Sequence, residues 1–145
     1  MKQFDSNRVI NGTFGELWID GQQMAQTTKL EAKIEMDYED VKKSGSLATY
    51  KKMTSYSGSG SITLNHVSSY FIDKLSENTK AGKMTVCTII SKLQDPDAFG
   101  CERIQLSGVV FDDITLANWE AKSIGEEEVP FTFTDWKVLD KIADN

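Results

Sequence analysis

Glu126-Glu127-Glu128-Val129-Pro130-Phe131-Thr132-Phe133-Thr134-Asp135-Trp136 decides the fold class of this chain. Three carboxylates lead through a proline into a strict aromatic/threonine alternation. Successive side chains of an extended backbone point to opposite faces, so Phe131 and Phe133 share one face while Thr132 and Thr134 share the other. Such a strand belongs to a sheet with one dry face and one wet face, and nothing in it has the make-up of a catalytic loop.

The same period of two recurs outward along the chain. Leu30, Ala32, Ile34 and Met36 alternate with Lys29, Glu31, Lys33, Glu35 and Asp37, which predicts a strand with a dry even face and a charged odd face. Residues 14–20 form another strand, closed by the Asp20-Gly21 turn, a pair that tolerates positive φ. A further alternating strand enters through Gly58-Ser59-Gly60 and runs to Val67. Residues 83–93 are rich in Thr, Val and Ile, as a strand requires. In the next strand Ile104 and Leu106 share one parity and Val109 and Phe111 the other, so a β-bulge is expected at Ser107-Gly108. Ile114, Leu116 and Trp119 are expected to continue the sheet, and Ser123-Ile124-Gly125 to bend the chain into the opening motif. One helix is expected over residues 68–80, capped by Ser68 or Ser69, with Phe71, Ile72 and Leu75 as its apolar stripe and Ala81-Gly82 at its end. Residues 1–13 read as a flexible arm, and the polar tail after Asp140 as frayed. Residues 42–57 lack an apolar pattern and read as one long basic loop. The fold class is therefore mainly β: an antiparallel β-sandwich or partly closed barrel with one α-helix and a long hairpin loop, in a single domain over residues 1–145.

Composition narrows the function. A net charge of −6, from 22 acidic and 16 basic residues, argues against adhesion to nucleic acid or anionic lipid through phosphate neutralisation. It does not exclude a surface that repels DNA. Cys87 and Cys101 are too few for a disulfide framework and too isolated for zinc, so free thiols in a reducing cytosol are expected. The first eight residues have no apolar core of the signal-peptide kind, and no apolar run reaches the roughly 20 residues of a membrane span. The chain is therefore expected to be made and kept in the cytoplasm, or to leave it without secretion, and to insert in no membrane.

Catalytic constellations are absent from the pattern. His66, the sole histidine, has no visible acid–base partner and reads as half-buried on the parity of Ile62 and Leu64. Asp95, Asp97 and Glu102 do not follow the calcium-loop spacing. Asp112 and Asp113, adjacent in an expected strand, would face opposite sides, and Glu126-Glu127-Glu128 reads as a solvated charge run. No nucleophile elbow, phosphate loop or zinc motif occurs. No enzyme, metal or cofactor is expected. The loop over residues 42–57 is the best functional candidate instead. Lys42, Lys43, Lys51 and Lys52 suit an acidic surface on another copy, while Leu47, Tyr50, Met53 and Tyr56 are more apolar than a linker needs.

Several stretches together resemble a known family. They are Asn11-Gly12-Thr13-Phe14-Gly15-Glu16-Leu17-Trp18-Ile19-Asp20-Gly21, then Gly58-Ser59-Gly60-Ser61-Ile62-Thr63-Leu64 running into His66-Val67-Ser68-Ser69. Ser91-Lys92-Leu93 with Asp95-Pro96-Asp97 follows, then Glu102-Arg103-Ile104, Phe111-Asp112-Asp113-Ile114-Thr115-Leu116-Ala117 and the opening motif. In order and spacing, over nearly the whole chain, these resemble the tail tube proteins of contractile phage tails, of the defective-prophage (PBSX-like) type and of the phage-tail-like bacteriocins of Gram-positive bacteria. The resemblance implies a structural subunit that forms stacked hexameric rings around a lumen conducting DNA or, in a bacteriocin, ions. It implies other copies of the chain, a tail sheath protein and baseplate proteins as partners, with DNA in transient passage and not specifically bound. It places the chain in the bacterial cytoplasm during assembly and in the released particle afterwards. The arm and the loop over residues 42–57 would bridge subunits, and Lys29, Glu31, Lys33, Glu35 and Asp37 would face the aqueous lumen. An assignment with the carboxylates at 126–128 near the bore stays open. The residues also allow a monomeric β-barrel module for a small ligand, or a hydrolase built on His66 with Asp95 or Asp112.

Overall fold

The computed structural model describes residues 6–97 and 100–142, and eight strands and one helix form within them. The strands are β1 (Gly15–Ile19), β2 (Gln22–Gln23), β3 (Thr27–Val41), β4 (Tyr50–Asn65), β5 (Cys87–Leu93), β6 (Glu102–Phe111), β7 (Glu126–Phe133) and β8 (Asp135–Asp140). The helix α1 spans Tyr70–Lys80. Every strand pairing is antiparallel, in the order β2-β1-β5-β6-β7-β4-β3, with β8 also on β6. The sheet does not close, so the expected mainly β, sandwich-like architecture is the one observed.

The opening stretch sits at the centre. In β7, Glu127, Val129, Phe131 and Phe133 are buried, while Glu126, Glu128 and Thr132 are exposed. Pro130 is tolerated because its carbonyl, not an N–H, is what the neighbouring chain uses: Asp112 N–H donates to it at 2.9 Å. The rings of Phe131 and Phe133 lie over Gly60 and Gly58 of β4, their register partners. A Cβ at Gly58 would stand 2.5 Å from Phe133, and one at Gly60 would stand 2.7 Å from Phe131, so glycine there makes room for two aromatic anchors. Phe71, Phe111, Phe131 and Phe133 then form a chain of ring contacts with centroids 5.2, 6.4 and 6.1 Å apart. Helix α1 packs on the core through Phe71 and Leu75.

The bulge expected at Ser107-Gly108 forms the corner of the fold. Cys87 pairs with Val109 and Ile89 with Leu106, so β6 carries one residue more than β5 between these points. Gly108 adopts φ +67°, and a Cβ there would collide with the Thr134 hydroxyl. Thr134 alone separates β7 from β8, and its N–H donates to Ser107 at 3.1 Å. Both strands therefore bend together and pass from one layer to the other. The Asp20-Gly21 turn also forms as expected, with both residues at positive φ.

Several expectations need correction. Residues 50–57 are strand, so the loop shrinks to residues 42–49. The period was hidden by a bulge: Asp37 pairs with Ser55 but Tyr38 with Met53, leaving Thr54 as an extra residue that spaces Met53 and Tyr56 by three. Residues 112–125 form no strand; Leu116 and Trp119 are exposed, and only Ile114 packs on the core. Two alternating positions bury too little to hold a strand, and Lys122 turns the chain at φ +64°. The dry face of β3 is dry only at Leu30 and Ile34; Ala32 and Met36 are exposed, because β3 is an edge strand that outruns the core. Strand β5 begins at Cys87, leaving Met84 and Val86 exposed. The arm is tied down from Ser6 by two 3-10 turns, Ser6–Arg8 and Gly12–Phe14, and by Asn11 N–H donating to Asp95 Oδ2 at 3.0 Å. The first five residues of the arm, Ala98 and Phe99 of the turn, and the last three residues of the tail lie outside the described residues.

Candidate assembly surfaces

Strands β3 and β4 pair from Thr27↔Leu64 to Val41↔Tyr50, but β7 supports β4 only from Gly58 onward. The far part of the hairpin, residues 36–56, therefore leaves the sheet as a two-stranded ribbon. From Glu35 to Val41 it runs about 20 Å, at ~3.4 Å per residue. Its core-side face continues past the core: Met36 pairs with Tyr56 and Tyr38 with Met53. These four side chains are 50%, 50%, 51% and 47% exposed, and Tyr56 meets Trp136 edge-on at 5.6 Å. Leu47 at the tip is fully exposed. Of the other pairs of the ribbon, Val41 with Tyr50 is apolar and exposed, and the rest are polar. Lys51 Nζ lies 3.2 Å from Asp40, Ser55 donates to Asp37 Oδ2 at 2.9 Å, and Lys43 Nζ stands 4.7 Å over the Tyr50 ring.

The expected inter-subunit residues are thus all in or beside the ribbon, but they do not share a face. Met53 and Lys51 pair with Tyr38 and Asp40 on the core-side face; Lys52 and Tyr50 pair with Glu39 and Val41 on the opposite one. Lys42, Lys43 and Leu47 belong to the tip loop.

On the opposite face of the sheet, Lys29, Glu31, Lys33, Glu35 and Asp37 of β3 stand in line, all exposed. Their register partners are Thr63, Ser61, Ser59, Ser57 and Ser55. This unbroken file of hydroxyls down β4 has Glu128, Pro130 and Thr132 on its other side. The structure brings together a wall of hydroxyls with the charged column of β3 on one side and Glu128 on the other. The charged column was legible from the sequence. The hydroxyl file was not singled out there, although Ser55, Ser57, Ser59 and Ser61 alternate openly; serine carries no hydrophobic signal.

The titratable groups outside these surfaces have structural tasks. Glu126-Glu127-Glu128 is not one solvated run: pleating turns Glu127 inward, where it is 7% exposed and lies 3.3 Å from His66 Nδ1. The His66 side chain is itself half-exposed. Asp95 is buried and accepts the backbone N–H groups of Asn11 and Asp97. Asp20 joins β1 to α1 and β5 through Lys74 Nζ at 2.8 Å and Thr88 N–H at 2.9 Å. Burial pushes the Asp20 carboxyl up, but these two donors outweigh it and leave its pKa lowered. The same bond raises Lys74. Burial, reinforced by Asp20, pushes the Cys87 thiol up to about 11. Among the described residues no helix is long and apolar enough to cross a membrane.

The chain is similar to known proteins in sequence and in fold. The phage-like element PBSX protein XkdM of Bacillus subtilis (strain 168) is 34% identical over 141 residues, covering 96% of each chain. The fold is shared with a chain of an extracellular contractile injection system sheath–tube complex in the extended state (TM-score 0.73, 9% identity, 94% of this chain and 98% of that one). It is shared also with a chain of the tail of an empty gene transfer agent particle computed with C6 symmetry (TM-score 0.54, 12% identity, 90% and 98%). Residues 2–140 match the family described as phage tail tube protein. The chain belongs to the phage tail tube protein family, as a structural component of phage-like particles and not an enzyme.

Proposed function

We propose that copies of this chain close into hexameric rings, and that the rings stack into a hollow tube whose ribbons bridge from one ring to the next. The observation that carries this reading is the uncovered apolar face of the ribbon. Met36, Tyr38, Met53 and Tyr56 continue the core face outward and stay about half-exposed, with Trp136 meeting Tyr56 at one end. Half-exposed aromatic and methionine side chains grouped on a protruding arm are what a second copy would bury. The sixfold symmetry of the gene transfer agent tail that shares the fold supports the ring number.

In this reading the hydroxyl file and its charged borders face the bore. The wall exposes Lys29 and Lys33 against Glu31, Glu35, Asp37, Glu126 and Glu128, an excess of carboxylates. A polyanion such as DNA is repelled from it and finds no site at which to shed counterions, so it can pass without sticking. In a bacteriocin-like particle the same bore would conduct ions. The outer surface would meet the sheath and the end rings the baseplate, with assembly in the bacterial cytoplasm before release.

The test is to replace residues 36–56 by Asn-Gly. Glu35 and Ser57 are register partners, so a two-residue turn can join them without disturbing the pairing of β4 with β7. The expected product is a folded monomer that forms no tubes in negative-stain micrographs. Tubes of normal length from this variant would remove the ribbon from the assembly.

A further inference from the structure

Two thioethers stand on the apolar face of the ribbon, open to attack in the free subunit. Met36 is 50% and Met53 47% exposed, whereas Met24 in the core is 2% exposed. Each of the two sits opposite a tyrosine in the register, Met36 opposite Tyr56 and Met53 opposite Tyr38. Tyr38 O–H donates to Met36 Sδ at 3.6 Å, so a polar group already reaches that sulfur at the protein surface. Met84 is also exposed, but it lies outside the ribbon, in the segment between α1 and β5. A thioether is apolar enough to be buried against another copy, yet a single oxidation makes it polar.

We propose that Met36 and Met53 form an oxidation site that gates assembly. Hydrogen peroxide reaches them in the free subunit, the sulfoxides keep that subunit out of the tube, and a tube once formed shields them. This rests on the ribbon reading above and specifies how the same face is switched off. In the chemical step a sulfur lone pair attacks one peroxide oxygen. The O–O bond breaks as the S–O bond forms, and the proton on the transferred oxygen passes to the departing hydroxide. Sulfur gives up two electrons, the peroxide takes them, and the products are methionine sulfoxide and water. The sulfoxide oxygen is a strong acceptor, and burial against apolar surface removes its water without supplying a donor. Tyr38 O–H can serve only one of the two new oxygens. The pair should therefore raise the concentration at which tubes form roughly ten- to 100-fold. The strand pairing of the ribbon survives, since no backbone group reacts. Methionine sulfoxide is reduced enzymatically, so an oxidised subunit is held back and not lost.

The test treats the Cys101→Ser chain, which lacks the half-buried thiol, with hydrogen peroxide both as free subunits and as preformed tubes. Mass spectrometry of its peptides locates the added oxygen. Free subunits are expected to be oxidised at Met36, Met53 and Met84 but not at Met24, and to keep their thermal melt. They should pellet as tubes only at a concentration raised roughly ten- to 100-fold, and methionine sulfoxide reductases should restore the parent value. Met36→Leu/Met53→Leu keeps the apolar volume without the sulfurs and should assemble alike before and after peroxide. In preformed tubes Met36 and Met53 should react about tenfold more slowly than in free subunits, or slower still. Folded subunits oxidised at both positions that assemble at the parent concentration would overturn the oxidation site and leave the ribbon reading standing. So would a leucine variant that loses assembly on peroxide as the parent does. Equal rates at Met36 and Met53 in tubes and in free subunits would overturn the ribbon reading and the gate together, as would an unmodified chain that forms no tubes at any concentration.

Discussion

Truncating the apolar face of the ribbon should weaken assembly by an amount that the exposure of its side chains sets. Consider Met36→Thr, Tyr38→Thr and Met53→Thr together. In the monomer these side chains are 50%, 51% and 47% exposed, so about half of each is still available for burial against another copy. Full burial of a large apolar side chain contributes roughly 1.5–3 kcal/mol, so the remaining half contributes about 1 kcal/mol apiece, or about 3 kcal/mol per bridging contact. At about 1.4 kcal/mol per decade, the concentration at which tubes form should rise roughly 100-fold. It can be read from the unpelleted protein after ultracentrifugation over a dilution series, with micrographs of the pellet. The fold should survive, because the ribbon lies beyond Gly58, where β7 begins to support β4, and its opening is local. The control is Glu39→Gln on the opposite face of the ribbon, expected to leave the concentration unchanged. A folded triple variant that forms tubes within threefold of the parent concentration would refute the reasoning.

Two further outcomes follow from the groups that hold the fold. Asp20 has a lowered folded pKa, so its contribution is complete above its ordinary value of 3.8 and is lost as pH falls through the folded value. Asp20→Asn should therefore flatten the acid limb of a stability–pH profile below about pH 4 and cost at most about 1 kcal/mol at neutral pH, since the carboxylate is 40% exposed; an unchanged acid limb would count against the Asp20–Lys74 link. Cys87 is buried with its thiol pushed up to about 11, whereas Cys101 is half-buried. In the native protein at pH 8 a thiol reagent should modify Cys101 first and reach Cys87 only at the rate of unfolding, and equal rates at both would contradict the packing of β5.

What was legible in the sequence was whatever period two could carry. Phe131 and Phe133 alternate with threonines and are buried; Lys29 to Asp37 alternate in the odd positions of β3 and all face water. The parity switch at Ser107-Gly108 located the corner before its partner was known, because an extra residue in a strand must invert the faces that follow. Where local rules conflict with the period, the reading fails. The bulge at Thr54 disguised half of β4 as a loop, and Ile114, Leu116 and Trp119 imitated a strand that no neighbouring edge receives.

The sequence by itself determined that this is an acidic, mainly β chain, which stretches pleat, and which side chains share a face, since alternation is a property of the covalent backbone. The family was carried in the same way, by motifs in a fixed order along the chain. Only the tertiary structure decided which of those faces meet. It placed two phenylalanine rings over two glycines, folded Glu127 inward between two exposed glutamates, aligned a file of hydroxyls beside a column of charges, and left the apolar face of a ribbon uncovered. These facts depend on register and on where one strand outruns its neighbour. Both are set by packing between segments distant in sequence, and no local period encodes them.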